Sequence, residues 1–428
     1  MKQPNIVISG GRVIDPTNQI DAILSLFIAN GKIAAVGEQP DGFVIDQQLN
    51  AEGAIVCPGF VDLCARFREP GYENKATIAS ESLAAVRSGI TTLCIQPDTI
   101  PLIDSPAMIE LIEEYAENTG MVRLVPIGAL TKSLAGAELA EMGALKAAGC
   151  RVVSNARQPI NNLLVMKRAL EYAASFHLVV MIQPNEPWLS QLGVMHEGEI
   201  STRLGLPGIP ETAETVAVAQ IIALTQQIGV HVHFSQLSCQ RSVHMISRAQ
   251  YDGVPITADV AAHQLHLTET AVEGYNTMSY VMPPLRAEQD KSALRSGVQR
   301  GVISAICTDH QPHEAAAKLD VFSATEPGIS SLETMLPLTL KLVAEGTLSM
   351  SHAIERLTNG PAAIIDAQLG SLSPGLNADV CVFSPQAEWT INHQSWLSEG
   401  KNTPFWGEEM KGKVMYTIHS GQVVYSDL

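Results

Sequence analysis

The sequence predicts an α/β fold, a TIM (β/α)8 barrel with a small β-sandwich domain formed by both termini, and three observations lead there. Between residues 60 and 345, short apolar runs alternate with amphipathic helical patterns, as repeated βα units around a parallel sheet do. Eight such runs fit in the span, the number that a barrel of roughly 250 to 300 residues needs. Both ends of the chain are instead β-rich, with Gly and Asn-Gly turns between apolar runs.

Residues 4–57 hold NIVISGGRVID and AILSLFIANGKIAAVG, where Asn30-Gly31-Lys32 sits between apolar runs as a hairpin turn does. The eight barrel strands are expected at FVDLCARF (60–67), TTLCIQPD (91–98), RLVPIGAL (123–130), CRVVSNA (150–156), LVVMIQP (178–184), HVHFSQL (231–237), PITADVA (255–261) and ISAICTDH (303–310). Between them, ELAEMGALKAAG (138–149), NNLLVMKRALEYAASF (161–176) and ETAETVAVAQIIALTQQIG (211–229) repeat apolar residues at helical spacing. LGLPGIPE (204–211) belongs to a long loop after strand five. Residues 369–428 return to strands, with Ser420-Gly421-Gln422 at a second hairpin turn. The division expected is a sandwich from residues 1–57 and 366–428 around a barrel from 58–365. A doubly wound open sheet competes with it, but that fold would place a Gly-rich phosphate loop after strand one, and REPGYE is not one.

The bulk numbers narrow the function. At 428 residues with 46% hydrophobic and 17% charged residues, the chain reads as an ordinary globular protein. A net charge of -17 argues against a nucleic-acid or anionic-membrane surface. Seven cysteines, scattered singly without a CxxC pair, argue against a disulfide framework or a cysteine zinc site. The N-terminus lacks a signal-peptide apolar region and no run reaches membrane-spanning length, so a cytoplasmic location is expected.

In such a barrel the chemistry gathers at the C-terminal strand ends. Strand one delivers Cys64, Arg66 and Arg68 there, strand two Asp98, strand four Asn155 and strand five Gln183. Strand six delivers His233 and Gln236, strand seven His263, and strand eight Asp309 with His310 and His313 behind it. A catalytic zinc needs three ligands among His, Asp, Glu and Cys, and here Asp309 and Cys64 stand against Arg66, Asn155 and two glutamines: arginine has no lone pair to offer, and amides bind zinc poorly. Cys64 reads as an inert core thiol, and Arg66 as a partner for a carboxylate such as Asp309, filling with fixed charge the place of a metal. His233 and His263 read as satisfied core histidines. The Asp309, His310 and His313 cluster is open between a structural network and a retained binding site. No G-x-S-x-G elbow marks a serine nucleophile.

These residues carry a resemblance. GFVDLCARFREPGYENKATIASESLAAVRSGITTLCIQPDTIPLID resembles a stretch of the dihydroorotase family of the amidohydrolase superfamily, which normally runs PGFVDxHxHFREPG. MHEGEISTRLGLPGIPETAE, HLTETAVEGYNTMSYVMPPLR, TDHQPH, GISSLETMLPLTL and GLNADVCVF are similar to it as well, so the resemblance covers essentially the whole chain.

The resemblance implies a two-metal cyclic-amide hydrolase, closing carbamoyl-aspartate to dihydroorotate, in a barrel beside a sandwich. It implies that former metal-ligand positions fall on Cys64, Arg66, Asn155, Gln183 and Gln236, with Asp309 alone keeping the family residue, both ligand and base. Arg68 and His313 match the substrate shell, while Asp98 and Met282 stand where asparagine is usual. A zinc site lost in an otherwise intact chain resembles the inactive dihydroorotase-like subunit that accompanies bacterial aspartate carbamoyltransferase. That likeness implies no catalytic residue, no cofactor, and a noncatalytic structural role toward the carbamoyltransferase catalytic subunit, as a homodimer within a larger hetero-oligomer. Residual dihydroorotase activity and metabolite sensing through Arg68 and His313 are the alternatives.

Overall fold

The structure, a computed structural model, describes residues 3–365 and 368–427, so the expected domain boundary at 366 lies outside the described residues. Eight parallel strands follow one another in sequence order: Phe60–Ala65, Ile90–Ile95, Arg123–Pro126 continued by Gly128–Ala129, Val152–Ser154, Val179–Ile182, Val232–Phe234, Ile256–Ala261 and Ala305–Cys307. Neighbours pair in parallel register throughout. The ring is completed where strand eight meets strand one: Arg66 N donates to His310 O at 2.9 Å and His310 N to Cys64 O at 3.2 Å. Strand three breaks at Ile127 because Ile127 N bonds back to Ile95 O while Leu130 N turns forward to Ser154 O.

Strands this buried must be apolar on both faces, which is why they read as continuous runs. All six residues of strand one are buried, and its Asp62 is tolerated because Thr308 donates to it from both N and Oγ1, at 2.9 and 2.5 Å. Inside the ring Val61, Leu63, Ile127, Val152 and Met181 pack with Ile364 and Ile365 of the helix Asn359–Ile365. The outer helices start and stop on local chemistry. Thr77 caps Ile78–Arg87 through Ser80, Asn162 Oδ1 accepts from Leu164 N at 2.9 Å to open Leu163–Ser175, and Gly229 ends Thr212–Ile228 in the left-handed region.

Two sequence expectations shift. The helix expected over 138–149 is shortened to Met142–Ala147, because residues 138–140 serve the loop before it: Lys132 N bonds Glu138 O at 2.9 Å and Ala140 N bonds Leu130 O at 3.2 Å. The loop 204–211 contains a short strand, Gly208–Ile209, paired with Met195–His196. A Cβ at Gly208 would stand 2.6 Å from Glu197 Cα, so only glycine allows that approach.

The two chain ends build one β-rich body of two sheets. One orders Lys32–Val36, Leu26–Ala29, Ile6–Ser9 and Gln47–Asn50; the other orders Gln422–Ser426, Glu409–His419, Val380–Thr390, Ile55–Pro58, Arg12–Asp15 and Ile20–Ile23. Ile6, Ile8, Leu26, Ile28 and Ile33 of the first pack on Val380, Val382 and Ile418 of the second. Asn30 and Gly31 turn at φ 51° and 76°, as that hairpin requires. The connection 391–408 between the long strands Val380–Thr390 and Glu409–His419 reaches the barrel, burying Trp396 and Asn402. Among the described residues no helix is long and apolar enough to cross a membrane.

Candidate functional site

Asp309 is the centre of the strand ends. It follows strand eight at φ 48° with 1% of its surface exposed, a place where a carboxylate needs partners. Arg157 supplies them: its Nη2 donates to Asp309 Oδ1 at 3.1 Å and Oδ2 at 3.0 Å and to the Met282 carbonyl, while Nη1 donates to Gln311 Oε1 at 2.8 Å. Gln311 Nε2 and Cys64 Sγ also donate to Asp309 Oδ1, at 3.2 and 3.5 Å. Burial pushes the Arg157 pKa down, and Asp309 opposes that shift.

Sequence reasoning missed Arg157. It stands two residues past Asn155 in NAR, and its direction is set by Ala156, which turns the backbone at φ 49°. An arginine just beyond a strand end was the available signal, but spacing alone does not say which way it points. Asn155 itself faces away from Asp309: Oδ1 accepts from Thr131 Oγ1 at 2.6 Å, and Nδ2 donates to the carbonyls of Leu134 and Gln158 at 3.1 and 2.9 Å.

Arg66 pairs with two carboxylates. It donates Nε to Asp98 Oδ2 at 2.8 Å, and Nη1 faces the Asp309 charge as an ion pair at 3.7 Å without a hydrogen bond. Burial alone would lower the Arg66 pKa, but Asp98, Cys64 and Asp309 together drive it upward. Asp98 is accordingly held below the usual carboxylate range, burial being outweighed by Arg66. Asp98 is therefore neutralised from within.

Arg68 turns at φ 68°, donates Nε to Pro312 O at 3.0 Å and lies 3.1 Å from His313 Nε2. Burial, with Arg66 nearby, pushes its pKa down to about 10. Burial together with Arg68 and Lys75 drives His313 to about 2, so its ring is neutral; Lys75 Nζ sits 3.2 Å from its Nδ1. Gln183 reaches the edge of the cluster, Nε2 to Met282 O at 3.4 Å. Gln236 turns at φ 51° and gives its backbone N to Asp259 Oδ1, at 2.6 Å.

The histidines divide. His233 lies inside strand six, between Thr257 Oγ1 and Asp259 Oδ2 at 2.9 Å each, a satisfied core residue. His310 is held by Glu81 Oε2 at 2.8 Å and accepts from Ser331 N at 3.0 Å. His263 is buried beside Asp309, its Nδ1 without a hydrogen-bond partner, and burial takes its pKa to about 4. A cavity of about 150 Å³ opens at the ends of strands four and five, lined by Asn155, Gln183, Ile160 and Met166 among others, with Asp309 outside its lining.

As donors for a metal, these groups compare poorly with a hydrolase site. Burial, with Asp309 beside it, pushes the Cys64 thiol well up, so it stays protonated and offers no thiolate. The positive charge around Asp309 comes from guanidinium groups. Among the described residues no group of three or more His, Cys, Asp or Glu side chains converges to hold an ion.

Three comparisons place this geometry among known proteins. A family model described as Dihydro-orotase-like matches residues 53–242. A "Dihydroorotase-like protein" of Pseudomonas putida is 45% identical over 420 residues, covering 98% of this chain and 99% of its own. Its counterpart in Pseudomonas aeruginosa is 44% identical over the same length, with 98% and 99% covered. A "Dihydroorotase" of Syntrophus aciditrophicus is 41% identical over 423 residues, covering 99% of each. Among solved structures, the L-hydantoinase (dihydropyrimidinase) of Arthrobacter aurescens superposes with a TM-score of 0.86 at 20% identity, over 99% of this chain and 96% of that one. A D-hydantoinase gives 0.85 at 18% identity, over 99% and 95%. The likeness to these two establishes the fold, a barrel of the same type beside a β-rich domain.

Proposed function

Because the chain belongs to the dihydroorotase-like family, we propose that it is a noncatalytic member of it, a structural subunit for aspartate carbamoyltransferase. The observation that carries the reading is the clamp on Asp309. An aspartate that is to hold a metal and take a proton from water must present lone pairs to both. Here Arg157 occupies both carboxylate oxygens at 3.1 and 3.0 Å, and Arg66 adds a second fixed charge 3.7 Å away. A guanidinium repels a cation and does not deprotonate to make room.

The donor set does not fit a zinc pair. The partner assignment rests on the resemblance of the whole chain to the noncatalytic subunit. A preserved barrel without its chemistry can serve through its surface. Two measurements test the reading together: metal content of protein purified without chelator, with turnover assayed in both directions, and sizing of a mixture with the carbamoyltransferase catalytic subunit. The expected result is no stoichiometric zinc, no turnover above background and a larger co-eluting complex. Zinc with turnover would overturn the noncatalytic half; separate elution at micromolar concentration would overturn the partner half.

A further inference from the structure

We propose that the place of the Arg157 head group is a guanidinium-recognition site: Asp309, the Met282 carbonyl and the Gln311 amide oxygen form an acceptor set for one planar cation, and Arg157 is its tethered occupant. The inference deepens the noncatalytic reading by assigning what the site does hold, yet it rests on geometry alone.

The acceptors come from two stretches of chain, Asp309 with Gln311 and Met282, and converge. Arg157 Nη2 meets Asp309 Oδ1 at 3.1 Å, Oδ2 at 3.0 Å and Met282 O, while Nη1 meets Gln311 Oε1 at 2.8 Å. Acceptors that engage two different nitrogens of one head group suit a guanidinium fork, whereas an ammonium is a compact point charge.

The acceptors are themselves held. Gln311 Nε2 donates to Asp309 Oδ1 at 3.2 Å, which leaves its oxygen to face the cation. Gln311 has room only because residue 328 is glycine, where a Cβ would stand 2.6 Å from Gln311 Cβ. Met282 O is fixed from a second side by Gln183 Nε2 at 3.4 Å. Both sides of the ion pair, Ala156 before Arg157 and Asp309 itself, sit in the left-handed backbone region, at φ 49° and 48°. Strained backbone held by its surroundings marks a built site. With Arg157 gone, Asp309 keeps, among the described residues, only Arg66 at 3.7 Å as a countercharge, and a buried carboxylate demands more.

Chemical rescue tests this. The thermal midpoint of the full-length Arg157→Ala protein is followed against methylguanidinium chloride at millimolar concentration, with methylammonium chloride and sodium chloride as controls. The expected result is a lowered midpoint that methylguanidinium alone raises, saturably; the wild-type protein does not respond, and adding Asp309→Asn abolishes the rise. Arg157→Lys, which retains charge without the fork, is expected to fold with a midpoint below wild type. If Arg157→Ala does not fold unaided, refolding yield replaces the midpoint and must rise with methylguanidinium. No saturable response, an equal response in the Asp309→Asn background, or a lysine variant as stable as wild type would each overturn the proposal. None of these readouts depends on turnover or on the carbamoyltransferase, so failure here is distinguishable from failure of the functional reading.

Discussion

Arg66 Nε lies 2.8 Å from Asp98 Oδ2 and its Nη1 3.7 Å from Asp309 Oδ1, so one guanidinium ties together the ends of strands one, two and eight. A covalently anchored cation thus gathers three strand ends. Its charge balance with Asp98 and Asp309 is local, which makes the tie sensitive to loss of either side.

Arg66→Ala is expected to lower the unfolding free energy by about 3 kcal/mol, the low end for stranding one member of a buried pair. The low end applies because Asp98 keeps 31% of its side chain in solvent and can be partly rehydrated. Urea unfolding with a constant m-value reads the change. A loss below about 1 kcal/mol would mean that the pair is not holding the strand ends.

The strands were legible in the sequence and the side-chain directions were not. Eight buried strands show as apolar runs because a strand covered on both faces has no polar alternation, and Cys64, Arg66 and Asp309 stood at their ends as expected. Arg157 reaches Asp309 through a left-handed turn at Ala156, and Arg66 donates to Asp98 while facing Asp309; both outcomes depend on three-dimensional distances that periodicity does not carry. Asn402 was invisible for the same reason, since its partners lie 74 to 91 residues away.

Asn402, in the connection between the strands Val380–Thr390 and Glu409–His419, pins the segment after strand eight. Its Oδ1 accepts from His313 N at 2.8 Å, and its Nδ2 donates to the carbonyls of Gln311 and Gly328 at 2.8 and 3.0 Å. Asn402→Ala leaves three buried backbone groups without a partner, for an expected loss of about 2 to 4 kcal/mol. Hydrogen exchange should rise at His313 while strand three keeps its protection. Unchanged exchange at His313 would show that the contact does not secure the segment.

Glu333 makes stability fall as pH rises. Burial pushes its carboxyl up to about 7, against the opposing pull of Ser398 N and Arg87, the latter 3.4 Å away. A raised folded pKa means that the folded state holds the proton where the unfolded chain has released it. Its contribution is therefore complete below about 4.5, the ordinary value, and is lost as pH rises through about 7. The change is roughly 3 kcal/mol across that window. Glu333→Gln should flatten the decline in urea midpoint over it, leaving the part due to Asp62, which burial also raises to about 7. An identical slope in the variant would contradict the assignment.

Replacing Cys64 and Arg66 by histidine is the shortest route toward a family-like strand one, and it is expected to fail. The double variant still has Asn155 turned to Thr131, Gln183 bound to Met282 O, and the amide of Gln236 at the end of strand six. It also keeps Arg157 on both oxygens of Asp309, and it deprives Asp98 of its 2.8 Å partner. Two imidazoles beside a clamped aspartate do not make a pair of metal sites, which need a bridging carboxylate and further ligands. Dihydroorotate hydrolysis should stay at background, with zinc content well below two ions per chain. Measurable turnover would show that Arg157 yields its place to a metal, and the argument from the clamp would fall with it.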